Sequence, residues 1–377
     1  PSQKAGLLQG DRIIKVGERV IAGTRTPQDS MVRMMKGPKG TKVNLLINRA
    51  GTDIPFDITR DKIPVHCIDA AFMINDTTGY IKLSKFTRTT YKEFKEASST
   101  LLADGMKRLI FDLRDNTGGY FDQALMLSNE FLQKGDCVVY MEGLHRSRQD
   151  YDADGRGALK DIQLSVLIDE VTASSSEIFA GAMQDNDRAT IIGRRSFGKG
   201  LVQQQIPFAD GSAVRLTVAR YYTPSGRSIQ KPYKMGEGED YAMDLLERFE
   251  HGEFYSADSV QIADSTVYLT KKGRIVRGGG GIMPDVFVGR DTTLNTPYFN
   301  IVVNRAYTYQ FAYQYTDRHR KELSQYKDWQ SLEKHLLKVN WVPEFVAFAK
   351  EKGVEPNPEQ LAKSKPMLVR LVNAYIV

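Results

Sequence analysis

The residues with the most chemistry in this sequence stand together between Val171 and Gln205, VTASSSEIFAGAMQDNDRATIIGRRSFGKGLVQQQ. Three consecutive serines, Ser174, Ser175 and Ser176, precede Glu177, and Lys199 lies further on between glycines in Phe197-Gly198-Lys199-Gly200. A serine hydroxyl is a poor nucleophile until a neighbouring base takes its proton. A lysine amine serves as that base only where desolvation keeps it neutral near pH 7. The flanking glycines let the loop backbone approach another element more closely than side chains would permit. The chemistry would be attack of an activated hydroxyl on an acyl group. The competing reading is structural. Ser174 and Glu177 also fit the S-x-x-E capping box, in which hydroxyl and carboxylate each satisfy a free amide of a helix's first turn, and a lone lysine in a glycine-rich loop is usually solvated.

Holding these groups requires a strand, a turn and a helix. Leu164-Ser165-Val166-Leu167-Ile168 has the composition of a buried strand and runs into the serine turn. Ile178, Phe179, Ala182 and Met183 recur at helical spacing, so a helix is expected to begin near Ser174, where its dipole favours developing negative charge. Ala189 to Ile192 reads as a further strand, ended by Gly193. Upstream, Gly79 to Leu83 reads as a strand. Thr90 to Ala103 is an amphipathic helix with Phe94, Leu101 and Leu102 on its apolar face, and Leu109 to Leu113 is a buried strand. That strand ends in Arg114-Asp115-Asn116-Thr117-Gly118-Gly119, ahead of a helix from about Phe121 to Leu132. Paired glycines between strand and helix are commonly an ordinary tight turn, but they also leave backbone N–H groups where an oxyanion can sit. Val138-Val139-Tyr140 is another strand, followed by a polar segment read as a surface loop, and Ala213 to Tyr222 is a long alternating strand. Tyr222-Thr223-Pro224-Ser225-Gly226-Arg227 and GGGGIMPD, Gly278 to Asp285, are loops that either border a cleft or merely turn the chain. From about residue 291 the sequence is aromatic-rich and helical in spacing, and holds both tryptophans, Trp329 and Trp341.

The 377 residues, 41% of them hydrophobic, are enough for two or three cores. The net charge of +6 comes from 52 basic and 46 acidic residues without a long single-sign block, which argues against a nucleic-acid binder. Cys67 and Cys137 make neither a disulfide framework nor a zinc site, and are expected as free thiols with a single bridge left open. Nothing in the sequence calls for a cofactor or a metal. No apolar run reaches membrane-spanning length, and the start at Pro1 without a signal-peptide pattern reads as a mature or trimmed chain.

The serine, lysine and glutamine spacing resembles the carboxyl-terminal processing, or tail-specific, proteases, serine peptidases with a Ser-Lys dyad and a PDZ domain. Their S-A-S-E-I motif matches Ser174-Ser175-Ser176-Glu177-Ile178, with Ser175 in the place of alanine, and their F-G-K-G matches Phe197 to Gly200. The resemblance implies that Ser174 is the nucleophile, that Lys199, 25 positions beyond it, is the base, and that Gln203 orients the lysine. Their L-R-x-N-x-G-G segment matches Leu113 to Gly119, which implies an oxyanion-hole amide at Gly118 or Gly119 with that of Ser175 as the second donor. Glu177 and Asp185 are expected as helix-capping or supporting groups without a catalytic role. YTPSGRSIQ and GGGGIMPD also resemble the family. The implied fold is α/β (α+β): a crotonase/ClpP-like spiral strand-helix protease core over 61–290, an N-terminally incomplete PDZ-like domain over 1–60, and a helical C-terminal domain over 291–377. The PDZ-like signature is A-G-L-x-x-G-D from Ala5 to Asp11. The first strand and carboxylate-binding loop of such a domain would lie upstream of Pro1.

The function implied is cleavage of proteins near their C-termini through an acyl-enzyme, with protein or peptide substrates bound by their C-terminal region, no nucleic acid, and homo-oligomerisation left open. The location implied is the bacterial periplasm or cell envelope. The alternative is a non-catalytic module that binds peptides or apolar ligands on the same fold, as retinoid-binding relatives do; the presence of both dyad residue types speaks for the enzyme. A third reading is an intact site held inactive by the PDZ-like or helical domain. None of His66, His145, His251, His319 and His335 lies in a triad-like motif, which weighs against a Ser-His-Asp site without removing it, since triads are recognised by geometry.

Overall fold

The computed structural model describes residues 1–8, 10–49, 51–63, 65–233, 238–261 and 266–377. It divides into two compact units, one of Pro1–Pro64 with Asp291–Val377 and one of Val65–Arg290. The N-terminal part of the first unit contains β1 (Arg12–Val16), β2 (Arg19–Val20), α1 (Gln28–Met35), β3 (Lys42–Arg49) and β4 (Thr52–Thr59), with strand order β2-β1-β3-β4. Along β3 the inward residues Val43, Leu45 and Ile47 are buried and alternate with Lys42 and Asn44 outside, the period of two expected of a strand with one covered face. They meet Val16, Ile21 and Ile58, with Met31, Met34 and Met35 of α1 packed against them.

The second unit opens with the antiparallel pair β5 (Ile68–Asn75) and β6 (Thr78–Leu83), followed by α2 (Thr90–Ala103), β7 (Arg108–Asp112) and α3 (Phe121–Asn129). Next come β8 (Cys137–Gly143) and β9 (Arg146–Asp152), then β10 (Gln163–Ile168), α4 (Ser175–Asp185) and β11 (Thr190–Gly193). The segment after Tyr140, expected as a loop, is the hairpin partner β9. Its residues RSRQDYD are almost all exposed, so no apolar alternation marked them as a strand. Beyond β11 lie β12 (Leu201–Pro207), β13 (Ala213–Tyr222), α5 (Gly238–Glu250), β14 (Val267–Leu269), β15 (Ile275–Arg277) and β16 (Val286–Phe287).

The main sheet runs β16-β11-β10-β7-β6-β5, parallel from β16 to β6. Leu109 pairs with Leu164, Phe111 with Val166, and Val166 with Ile191, all buried. Covered on both faces, these strands are near-continuous apolar runs. Phe94 of α2, Phe111 of β7, Phe131 beyond α3 and Phe179 of α4 form a ring cluster with centroids 5.1 to 5.9 Å apart, which fixes the helices on the sheet. Leu102, expected on the apolar face of α2, is 39% exposed, while Phe94 and Leu101 are buried. A second antiparallel sheet runs β12-β13-β8-β9. The carboxyl ends of the neighbouring strands β7 and β10 lead into Asp115–Gly119 and Asp169–Ser174, where an open parallel sheet leaves its crevice.

The C-terminal part of the first unit comprises α6 (Pro297–Asn304), α7 (Tyr307–Leu323), α8 (Trp329–Leu336), α9 (Val342–Glu351) and α10 (Pro358–Ile376). Thr296, Asp328 and Asn357 cap three of these helices with their side chains, and proline opens α6 and α10. Trp341 is buried in their core and donates from Nε1 to Asn373 Oδ1 at 2.9 Å, while Trp329 is exposed. Cys67 and Cys137 are free thiols. Among the described residues no helix is long and apolar enough to cross a membrane.

Candidate active site

β10 ends at Ile168, and the chain turns back through Asp169, whose carboxylate accepts hydrogen bonds from the amides of Asp115, Val171 and Thr172 at 3.0 to 3.1 Å. Burial pushes the Asp169 pKa up, against the pull of those amides. This carboxylate ties the ends of β7 and β10 together. Ser174 then takes φ 57° and ψ −118°, a conformation L residues rarely adopt and one that persists only where its surroundings enforce it. A strained serine between a strand and a helix is the arrangement that lifts a nucleophile out of a sheet. From Thr172 to Asp185 every residue is buried except Ser174. Ser175 donates its hydroxyl to the Gly119 carbonyl at 3.0 Å, and Ser176 donates to that of Asn116 at 3.1 Å. Of the three serines, Ser174 alone has solvent access.

The glycine turn after β7 lies directly against this serine. A Cβ added to Gly118 would stand 2.6 Å from the Ala173 carbonyl oxygen and 2.8 Å from Ser174 Cβ, and one on Gly119 would stand 1.9 Å from the Phe86 carbonyl oxygen. Both glycines also have positive φ, 87° and 153°, so no other residue fits either place. The Gly118 amide is committed to Asn116 Oδ1 at 2.9 Å. Among the described residues the amides of Gly119 and Ser175 donate to nothing. Two unsatisfied N–H groups, one at a helix N-terminus, therefore flank Ser174. Asn116, fully buried, organises the turn. Its Nδ2 donates to the Leu83 carbonyl at 2.8 Å, and its own carbonyl accepts from the Ala173 amide and Ser176 Oγ.

Glu177 connects this turn to the lysine loop. Its completely buried carboxylate accepts from the Ser174 amide at 2.8 Å, the Gly198 amide at 2.7 Å, the Lys199 amide at 2.8 Å and Ser196 Oγ at 2.6 Å. Ser196 Oγ accepts in turn from the Ile282 amide, so its proton is free to face the carboxylate. Burial holds the Glu177 pKa above the ordinary carboxylate value, with the four donors only partly offsetting it. The capping box is real, but three of this carboxylate's four bonds serve the loop of Lys199. The two glycine-containing loops downstream brace the same assembly. Arg227 donates to Gln184 Oε1 and Asp185 Oδ1 at 2.6 and 2.7 Å, the Ser225 amide donates to Asp185 Oδ2, and the Gly200 amide donates to Gln230 Oε1.

The side chains of Lys199 and Gln203 are placed differently. Both are exposed, and among the described residues neither the Lys199 amine nor the Gln203 amide forms a hydrogen bond or ion pair. The expected desolvation of the lysine and the expected Gln203 to Lys199 hydrogen bond are absent in this conformation. The physical reason is that the buried side of the loop is filled by Glu177 and by backbone. The stem of Lys199 leaves on the open side, and Gln203 lies on β12, exposed from Gln203 to Pro207. Sequence reasoning gave Glu177 a capping or supporting role without its partners and assigned none to Asn116 and Ser196; the residue types were visible, but not their convergence.

The model of peptidase family S41 matches residues 77–238, and that of a family of unknown function matches residues 298–377. A carboxy-terminal-processing protease of Bartonella bacilliformis is 36% identical over 315 residues, 81% of this chain and 68% of that one. The carboxy-terminal processing protease CtpA of Bacillus subtilis is 37% identical over 247 residues, 64% of this chain and 52% of that one. Among solved structures, the photosystem II D1 C-terminal processing protease aligns over 61% of this chain and 62% of its own at 29% identity, with a TM-score of 0.41. The chain thus spans between half and about two thirds of the length of these two relatives.

Proposed function

The chain belongs to peptidase family S41, the carboxy-terminal processing proteases, and is a serine-type peptidase; we propose that Ser174 is its nucleophile, Lys199 its general base and Gln203 the group that orients the lysine. The observation that carries this reading is Ser174 itself: strained, alone in reaching solvent within a buried segment, and flanked by two amides without acceptors. In the reaction the Lys199 side chain swings over Ser174 as substrate covers the cleft and excludes water. The neutral amine takes the hydroxyl proton, Ser174 Oγ bonds to the scissile carbonyl carbon, and the oxyanion settles on the amides of Gly119 and Ser175, each worth about 10²–10³ in rate. The protonated lysine then gives its proton to the leaving amine, and water attacks the acyl-enzyme by the same route.

The substrates are protein chains held by their C-terminal regions and cut near that end, with the domain of residues 1–60 as the PDZ-like element that presents them to the core of 61–290. The location is the cell envelope of a bacterium. The test is incubation with an unfolded protein and mass spectrometry of the fragments, alongside labelling by a fluorophosphonate. Label on Ser174 and cuts clustered near the C-terminus are expected; label on Ser175 or Ser176, or random internal cuts, overturns the reading.

A further inference from the structure

Residues 239–290 lie between the end of the S41 match and the end of the second unit, and α5 among them grips the loop that carries Lys199. Arg248 on α5 is 5% exposed. It donates from Nη1 to the Ser196 carbonyl at 3.1 Å and from Nη2 to the Arg195 carbonyl at 2.8 Å. Its Nε donates to Glu253 Oε1 at 2.9 Å, and Glu253 also receives Arg195 through Nε and Nη2 at 2.8 and 2.6 Å. The carbonyls it holds immediately precede Phe197-Gly198-Lys199, whose next two amides are held from elsewhere by Glu177. One loop is therefore fixed by a carboxylate on its N–H groups and a guanidinium on its C=O groups. Phe197 is gripped too: the Lys231 amine, paired with Asp244 of α5 at 2.8 Å, lies 4.3 Å from the Phe197 ring centroid and 4.1 Å from that of Tyr241.

From this geometry we infer that Arg248 is a positioning residue for Lys199: it sets the peptide planes of Arg195 and Ser196, and through them the point from which the lysine stem reaches Ser174. The inference rests on Lys199 being the base. A planar fork is required, because a lysine at 248 presents one ammonium and cannot hold two carbonyls and Glu253 in one plane. Misplacing a catalytic group by about 1 Å costs on the order of 10²-fold in rate. The substrate does not touch Arg248, so the loss falls on kcat and leaves KM unchanged.

The experiment measures kcat, KM and thermal unfolding for Arg248→Met, Arg248→Lys and Glu253→Gln in the whole chain, with Ser174→Ala and Lys199→Ala alongside. The expected result is kcat lower by about 10- to 100-fold in both Arg248 variants with KM unchanged, and a smaller fall in Glu253→Gln. Should Arg248→Met fail to unfold cooperatively, Arg248→Lys decides, since it keeps the charge and the stem. Wild-type kcat in folded Arg248→Lys, or a KM change without a kcat change, overturns the inference. Activity surviving in Lys199→Ala instead removes the base assignment on which it stands, so the two failures are distinguishable.

Discussion

Helix α4 and the hairpin β12–β13 both adjoin the candidate site, yet they are built in opposite ways. From Ser175 to Asp185 every residue of α4 is buried, and Glu177 alone accepts four hydrogen bonds. In the hairpin, Gln203–Pro207 and Ala213–Thr217 are exposed on both faces, including Ile206, Val214 and Leu216. A two-stranded ribbon without a core on either face is held by its ladder alone and is marginal in water. The parts of the site that must not move during reaction, the serine turn and its free amides, thus belong to the packed frame. Lys199 and Gln203, whose side chains would have to move to act in the proposed reaction, are exposed where the chain leaves that frame. Preorganised amides cost no reorganisation at the moment of reaction.

The sharpest way to break this division is to remove chemistry without touching the frame. Ser174→Ala and Lys199→Arg are each expected to lower kcat by about 10³-fold or more with thermal unfolding little changed, because a guanidinium cannot give up its proton. Substantial proteolysis by Lys199→Arg, in a preparation free of host protease, sinks the Ser-Lys mechanism. Ser175→Ala, whose hydroxyl only braces the Gly119 carbonyl, is expected to keep most activity.

Removing the frame's centre is expected to do the reverse. Glu177→Gln replaces an acceptor-only carboxylate by an amide that turns an NH₂ group toward N–H donors, leaving buried donors unsatisfied. A destabilisation of about 2–4 kcal/mol is expected, with activity lost as well. A stable and active Glu177→Gln would show that the serine turn and lysine loop hold their places independently. Smaller still is the effect of relieving strain: Ser174→Gly removes the unfavourable φ of residue 174 against the added entropy of glycine, and is expected to raise stability by about 1 kcal/mol while abolishing activity. Gln203→Ala, on the hairpin side, is expected to lower kcat less than Lys199→Ala and to leave unfolding unchanged.

The frame was legible in the sequence where packing leaves a period. The apolar runs at 109–113 and 164–168 and the helical spacing after Ser174 come from full burial, and the structure places a parallel sheet and α4 there. β9 was not legible, because a strand exposed along its length carries no alternation. Glu177 was legible as a cap but not as the hub, since two of its partners, the amides of Gly198 and Lys199, arrive from 21 and 22 residues away and are backbone groups common to every residue. The exposure of Lys199 was one of two readings open in the sequence, a solvated lysine or a desolvated base, and what chose between them, the filling of the inner side of its loop, is decided by tertiary structure. Residues 231–277 were read only as part of the 61–290 core with no helix or strand assigned, and α5, which holds Arg248, lies among them.

The smallest expected effect is in acid, and it sharpens the comparison by acting on the frame alone. Asp112, fully buried at the end of β7, would be pushed up by burial, but Arg114 and Tyr80 more than offset this and hold its carboxyl below the ordinary range. Arg114 donates from Nη2 and Tyr80 from its hydroxyl to Oδ2, each at 2.6 Å. The unfolded chain therefore takes up the Asp112 proton before the folded one does. Stability from this group is complete above the unfolded value of about 3.9 and is lost as pH falls through the folded value. Asp169 works the other way: its raised pKa lets the folded state bind the proton first, so stability rises as pH falls through the interval above about 3.9. Thermal unfolding from pH 6 to 3 is expected to fall less steeply with acid below pH 4 in Asp112→Asn than in the wild type, and to lose its gain above pH 4 in Asp169→Asn. Amide exchange in β12 and β13, where these carboxylates make no bond, is expected to stay the same in both variants. A parallel change there would mean that the hairpin is held by the frame after all, and the division between a fixed turn and a movable base would fail.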